Sequence, residues 1–254
     1  MSFFAVDDCT MQFGGLTAVS RLSFVLGPND LVGLIGPNGA GKTTVFNMIT
    51  GFYPPTAGDV RLEGRSLLGI KPHRIAALGV ARTFQNIRLC PSLNVFESAQ
   101  VARAKSVAYG FVHAVLGLNR CWREEQKVHG AVRDILKFLD LDTAGAEPST
   151  SLPYGLQRRL EIARALATDP RLLLLDEPAA GLNPAEKLEL MQLIKTIRER
   201  FQIAILMIEH DMKVVMGICK RVLVLDYGVL IAEGTPEEIQ RHPKVIEAYL
   251  GEQV

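Results

Sequence analysis

The residues Gly36-Pro37-Asn38-Gly39-Ala40-Gly41-Lys42-Thr43, followed by Thr44, space Gly36 and Gly41 so that a lysine and a threonine come directly after Gly41. In such a loop backbone N–H groups can curl inward around phosphate oxygens, and a side chain at either glycine would block the approach. Lys42 would reach the β- and γ-phosphates, and the Thr43 hydroxyl would ligate Mg²⁺. A second group of residues is Leu172-Leu173-Leu174-Leu175-Asp176-Glu177, an apolar run ending in paired carboxylates. Asp176 suits a Mg²⁺ shell, and Glu177 suits a general base that polarises a water. A glycine-rich surface turn and a core strand with an acidic end would produce the same letters separately. Their joint presence favours phosphate chemistry.

Three further residues gain meaning only beside these. His210, in Ile208-Glu209-His210-Asp211, can contact a γ-phosphate and orient a water or Glu177; alone it reads as a cap or surface histidine. Gln85 can ligate Mg²⁺ or water; alone it is a loop glutamine. Phe13 reads either as a stacking platform for a purine or as a strand aromatic in a small core.

The flanking elements decide whether these groups meet. Leu31–Ile35 reads as a short buried strand entering the glycine loop, and Thr44–Thr50 as the helix leaving it, whose positive dipole end would face the phosphates. Phe3–Phe13 and Val19–Leu26 read as an antiparallel pair around Gly14-Gly15. Asp59–Glu63 reads as a strand, Pro72–Leu78 as a short helix and Gly79–Thr83 as a strand delivering Gln85. From Ser92 to about Leu141 the pattern is helical. Gly155–Thr168 is a further helix, Arg171–Leu175 a buried strand, and Pro184 opens a helix to about Arg200. Ile203–Ile208 suits the centre of a parallel sheet. His210–Ile218 reads as a helix, Val222–Leu225 and Val229–Ala232 as a hairpin, and two short helices follow near Pro236 and Pro243.

Composition limits the alternatives. The chain has 254 residues, 48% apolar and 22% charged, enough for one large α/β domain or a core with a satellite. A net charge of +1 argues against nucleic-acid binding driven by bulk charge. Cys9, Cys90, Cys121 and Cys219 lack metal-ligand spacing and read as reduced, mostly buried thiols of a cytosolic protein. Met1–Asp8 has no basic stretch before an apolar core, so no signal peptide is expected. The apolar window 106–118 is too short for a bilayer, so a soluble chain is expected, reaching a membrane only through a partner.

Taken in order, these stretches resemble the nucleotide-binding subunit of ATP-binding cassette (ABC) transporters over essentially the full length. Gly36–Thr43, Arg82-Thr83-Phe84-Gln85, Leu172–Glu177 and His210 match. Leu152-Pro153-Tyr154-Gly155-Leu156-Gln157-Arg158-Arg159 looks like the family signature. The resemblance implies an α/β fold: a P-loop NTPase (RecA-like) core with an antiparallel β subdomain and an inserted α-helical subdomain. On this reading 1–254 is a single nucleotide-binding domain, with the core in 1–91 and 170–254 and the helical part at about 92–169.

The resemblance also implies ATP and Mg²⁺ as cofactors. Phe13, Gly36, Pro37, Asn38, Gly39, Ala40, Gly41, Lys42, Thr43 and Thr44 would bind ATP. Thr43, Gln85 and Asp176 would serve Mg²⁺, and Glu177, His210 and Gln85 would serve hydrolysis. Pro153, Tyr154, Gly155, Leu156 and Gln157 would face ATP held by an opposing subunit. The runs Ala81–Arg88 and Glu177–Pro184, with an extended insert from Ala102 to Gln126, resemble the longer ATPase subunit of branched-chain amino-acid importers. Amide and urea importers carry similar stretches.

That branch implies a shorter partner ATPase (or a homodimer in isolation), two membrane-spanning permeases and an extracytoplasmic amino-acid-binding protein. It places the chain peripherally on the cytoplasmic face of the cell membrane, with no nucleic acid. Two competing readings are a non-transport ABC ATPase acting on nucleic acid or ribosomes and a non-hydrolysing regulatory module. Absence of a second cassette and of a basic tract counts against the first; intact Lys42, Asp176, Glu177 and His210 count against the second. Two departures stand out. Pro153 replaces the usual signature serine, with Tyr154 and Leu156 also altered, and Asn183 replaces the usual aspartate of the loop after the acidic pair.

Overall fold

The computed structural model describes residues 2–103 and 119–250, and the chain divides into two compact units. Unit one comprises Met1–Gln85 and Arg171–Val254; unit two is Asn86–Pro170.

In chain order the first stretch of unit one contains β1 (Phe4–Phe13), β2 (Leu16–Leu26), β3 (Leu31–Ile35), α1 (Lys42–Ile49), β4 (Ala57–Leu62), β5 (Arg65–Ser66), α2 (Pro72–Ala77) and β6 (Val80–Arg82). Unit two supplies α3 (Val95–Arg103), α4 (Asn119–Phe138) and α5 (Tyr154–Ala167). The second stretch of unit one adds β7 (Leu172–Asp176), α6 (Pro184–Phe201), β8 (Ala204–Ile208), α7 (Met212–Ile218), β9 (Arg221–Asp226), β10 (Val229–Gly234), α8 (Pro236–Gln240) and α9 (Pro243–Leu250).

Unit one carries two sheets. The larger has the order β10-β9-β3-β8-β7-β6, parallel from β9 to β6, with β10 antiparallel at its edge. The residues of β3, β7 and β8 are all buried, which explains why their sequences are near-continuous apolar runs rather than alternating ones. The smaller sheet, β2-β1-β4-β5, is antiparallel. Phe4, Leu22 and Val60 of this sheet join Val45, Phe46, Leu174 and Leu206 of the larger layer in one apolar core. That core fixes β1, β3 and α1 relative to each other, and so holds the glycine loop between β3 and α1.

Unit two is helical. Val95 and Ala99 of α3, Val132, Ile135 and Leu136 of α4, and Leu160, Ala163 and Leu166 of α5 are buried. Their 3- and 4-residue spacing is the apolar stripe of packed amphipathic helices.

Several expectations need correction. The helical block from Ser92 to Leu141 contains two described helices, α3 and α4, and the window 106–118 lies outside the described residues. The insert 102–126 is described only at its two ends. His210 is not helical: Asp211 accepts the Lys213 N–H and caps α7, leaving His210 in the loop after β8. The acidic end of β7 reaches Asp176, which pairs with Ile208, so the strand runs one residue further than the apolar run. Cys90 is exposed, whereas Cys9 and Cys219 are buried. Among the described residues no helix is long and apolar enough to cross a membrane.

Candidate functional site

The glycine loop leaves β3 with Gly36 at φ +149°, where an added Cβ would lie 2.0 Å from the Leu225 carbonyl oxygen. Gly41, the N-cap of α1, has φ +99°, and a Cβ there would meet the Ala18 carbonyl oxygen at 2.5 Å. Any side chain at either position must displace backbone. The β9–β10 turn supports the loop from behind, because the Gly228 N–H donates to the Ala40 carbonyl at 3.0 Å.

Helix α1 has no acidic residue in its first turn and begins with a lysine. A cation at a helix N-terminus opposes the dipole, and an anion bound there relieves the conflict. The Lys42 ammonium is buried and donates to the Gly36 and Pro37 carbonyls at 2.6 and 2.7 Å, folded over the loop it would serve. Pro37, Asn38, Gly39 and Ala40 line the outer wall of the loop beside Asp226 and Tyr227.

The carboxyl ends of β7 and β8 bring the acidic pair and His210 together. Glu177 follows β7 with φ +49°, a left-handed backbone stabilised by its N–H bond to the Ile208 carbonyl at 2.9 Å. Such strain in a non-glycine residue costs about 1–3 kcal/mol and persists where surrounding structure enforces it. The Glu177 Oε2 accepts the Gln85 side-chain amide at 2.6 Å and lies 3.1 Å from the His210 Nε2. Glu177 is mostly buried and His210 is 49% exposed, so the imidazole sits at the solvent side of the carboxylate. Two residues far apart in the chain, Gln85 and His210, therefore converge on one Glu177 carboxylate oxygen. The Gln85 amide nitrogen is turned to Glu177.

Asp176 is buried and faces another partner. Its Oδ2 accepts Arg82 Nη2 at 2.7 Å, and Thr83 Oγ accepts the Asp176 N–H at 3.3 Å. Arg82 also donates through Nη1 to Asn47 Oδ1 of α1 at 2.7 Å, and its guanidinium carbon lies 5.4 and 5.2 Å from the ring centroids of Phe46 and Phe84. Among the described residues no group of three or more His, Cys, Asp or Glu is placed to hold a metal. The available donors are the Thr43 hydroxyl, the Asp176 carboxylate and the Gln85 amide, all hard oxygen ligands. They fit a Mg²⁺ ion that keeps most of its shell from phosphates and water.

Phe13, at the end of β1, is 41% exposed and meets Tyr53 edge-on, with centroids 5.2 Å apart. Tyr53 carries no sequence motif that would have singled it out.

In unit two, Pro153 is the N-cap of α5 and supplies no side-chain cap; the N–H groups of Leu156 and Gln157 turn back to its carbonyl at 2.9 and 3.0 Å. Gln157 donates to the Leu152 carbonyl at 2.8 Å, and Tyr154 is exposed. Gly155 lies within the first turn of the helix. Further along α5, Arg158 and Glu161 form a buried ion pair at 3.3 Å. The Glu161 Oε1 accepts the Arg88 N–H at 3.1 Å, and Arg164 donates to the Arg88 carbonyl at 2.6 Å. Burial pushes the Glu161 pKa up, against the Arg88 N–H and the neighbouring arginines that pull it down. Helix α5 thus grips both backbone groups of Arg88.

Sequence reading named the phosphate loop and the Gln85–Glu177–His210 group. It missed Arg82, Asn47, Glu161 and Glu209 as site residues. The available signal was a charge inside or directly after an apolar strand, at Arg82 and Glu209.

A parallel sheet with a glycine loop at the end of β3 and an acidic pair at the end of β7, one strand removed from it, defines a phosphate-binding-loop ATPase. Residues 19–180 match the family model described as ABC transporter, and residues 229–254 match the model described as branched-chain amino acid ATP-binding cassette transporter. The chain is 47% identical over 248 residues to the high-affinity branched-chain amino acid transport ATP-binding protein LivG of Salmonella typhimurium, covering 98% of this chain and 97% of that one. It is 44% identical over 247 residues to BraF of Pseudomonas aeruginosa, which bears the same description, with 97% of each chain covered. The crystal structure of the ADP conformation of an ATP-binding cassette of an ABC transporter superposes with a TM-score of 0.85 at 28% identity, covering 99% of both chains. The chain belongs to the ABC transporter family, in the branch of its branched-chain amino acid ATP-binding cassettes, and is an ATPase.

Proposed function

We propose that this chain powers uptake of branched-chain, hydrophobic amino acids from the cytoplasmic face of the cell membrane. Its partners are two membrane-spanning permeases, a second, shorter ATPase subunit and an extracytoplasmic binding protein. The observation that carries the hydrolytic part is the meeting of Gln85 and His210 on Glu177 beside an intact glycine loop. The solute rests on the likeness to LivG and BraF over nearly the whole chain.

In this reading the backbone N–H groups of residues 38–43 cradle the phosphates, and Phe13 stacks on the adenine. Lys42 leaves the Gly36 and Pro37 carbonyls to meet the β- and γ-phosphates. Thr43, Asp176 and Gln85 would hold Mg²⁺, which when bound would neutralise phosphate charge. Glu177 accepts a proton from the attacking water, and His210 holds the carboxylate oriented and contacts the γ-phosphate. Pro153, Tyr154, Gly155, Leu156 and Gln157 face the nucleotide of the partner ATPase. Pro153 offers no hydroxyl there, so that half-site is the weaker one, and turnover concentrates at the loop of this chain.

Glu177→Gln, measured in the assembled complex, tests the assignment. It should keep ATP affinity within about twofold and lower turnover by about 10²–10⁴-fold, the range of a general base. Wild-type turnover by this variant would remove Glu177 from the role.

A further inference from the structure

Glu209 has no place in the hydrolytic scheme above, yet it is a carboxylate only 2% exposed, directly after the fully apolar β8. A charge in such a position is costly unless its oxygens are hydrogen-bonded. Its Oε1 accepts the Ala179 N–H at 2.7 Å, and its Oε2 accepts the N–H groups of His210 at 3.2 Å and Asp211 at 3.4 Å. One side chain thus joins the loop that carries Glu177 to the loop that carries His210. One other side-chain link crosses between the same loops, Glu177 Oε2 to His210 Nε2 at 3.1 Å, and Lys187 Nζ of α6 ties Asp211 Oδ2 at 2.6 Å. Lys187 and Asp211 are part-exposed, and so is His210. Glu209 is the buried member of the set, where water cannot substitute for it.

Burial pushes the Glu209 pKa up, while the Ala179, Asp211 and His210 N–H groups and the His210 imidazole act to lower it. The fold has cheaper ways to end an apolar strand, because a small hydroxyl or an apolar residue would avoid the desolvation. A carboxylate has what they lack: two acceptor oxygens that can hold two separate loops at once.

We propose that Glu209 is a positioning residue for hydrolysis: it locks the Glu177–Ala179 segment to the His210 backbone, so that imidazole and carboxylate stay in register. The proposal rests on reading Glu177 and His210 as the hydrolytic pair. A displacement of residues 178–183 reaches His210 through this carboxylate, so the loop after Glu177 and the histidine move as one body.

The test compares Glu209→Ala and Glu209→Gln with wild type, in the full chain and in the assembled complex. Glu209→Gln keeps an acceptor for the Ala179 N–H but turns an amide toward the His210 and Asp211 N–H groups, so it should fold and lie between the other two. Glu209→Ala should lower kcat by about 10- to 100-fold, the cost of a small misplacement of reacting groups, with ATP affinity unchanged within twofold. Amide hydrogen exchange at Ala179, His210 and Asp211 should accelerate at least about tenfold in the full chain, with β3 and β7 unchanged. A kcat within twofold of wild type for both variants would overturn the proposal. So would losses of kcat matched by equal losses of ATP affinity, or wild-type exchange at Ala179. A Glu177→Gln control separates the two layers: wild-type turnover there sinks the hydrolytic pair, whatever Glu209 does.

Discussion

Replacing Arg82 with methionine keeps the aliphatic stem and removes the guanidinium. In the wild type that group donates to Asp176 and Asn47, each at 2.7 Å, and lies between the Phe46 and Phe84 rings. The Arg82 and Asp176 side chains are only 7% and 6% exposed, so water cannot take the place of the lost partner. Removing one member of a buried ion pair costs about 3–5 kcal/mol, because the other charge is left desolvated. A domain has about 5–15 kcal/mol in total, so Arg82→Met should consume about a fifth or more of it. At about 2–4 °C per kcal/mol for a chain of this size, the midpoint should fall by about 6–20 °C. Differential scanning calorimetry of the purified full chain reads this directly. Adding Asp176→Asn to Arg82→Met removes the stranded charge, so the double variant should regain about half of the loss. A fall below about 2 °C for Arg82→Met would refute the reasoning, as would a double variant no more stable than the single one.

Three further outcomes follow from local geometry. Asn183 accepts the N–H groups of Ala185 and Glu186 and forms a capping box with Glu186, so Asn183→Ala should cost about 1 kcal/mol in chemical denaturation while Asn183→Asp stays near wild type. In a Cys121→Ser background, iodoacetamide should label Cys90 first, since it is exposed and its pKa is lowered by the Ser92 hydroxyl. Cys9, pushed up to about 11 by burial, and Cys219, pushed up to about 12, should resist labelling until the chain unfolds. The Lys187 hydrogen bond holds the Asp211 carboxyl below 3.8, and the same bond holds the Lys187 ammonium above 10.5. The stability lost in Lys187→Met should therefore be constant between pH 3.8 and 10.5. It should vanish as pH falls through the lowered Asp211 value or rises through the raised Lys187 value, as read by midpoints across pH.

What was legible in the sequence is what local rules determine. The apolar run 31–35 is β3 to the residue, because a strand buried on both faces tolerates nothing polar. The glycine spacing was legible because Gly36 and Gly41 press against backbone, where no other residue fits. The start of α7 was misplaced at His210, since a histidine and an aspartate in succession compete for the cap and the shorter carboxylate reaches the N–H groups. Arg82, Glu161 and Glu209 were passed over because charged letters normally mark a solvated face. Their burial depends on partners the sequence does not place: Arg82 and Asp176 are separated by 94 positions. Strand β5 was not read at all, since a two-residue strand such as Arg65–Ser66 leaves no periodicity.

The central claim, an ATPase that drives uptake of hydrophobic amino acids, is tested most directly by isolating the chain from its native membrane in mild detergent and assaying ATP turnover of what co-purifies. The account predicts a complex with two permeases and a shorter ATPase, whose turnover rises when leucine and the binding protein are added and collapses with Glu177→Gln. Recovery of the chain alone, or with ribosomes or DNA, with turnover indifferent to leucine, would contradict the transport role and leave only the ATPase.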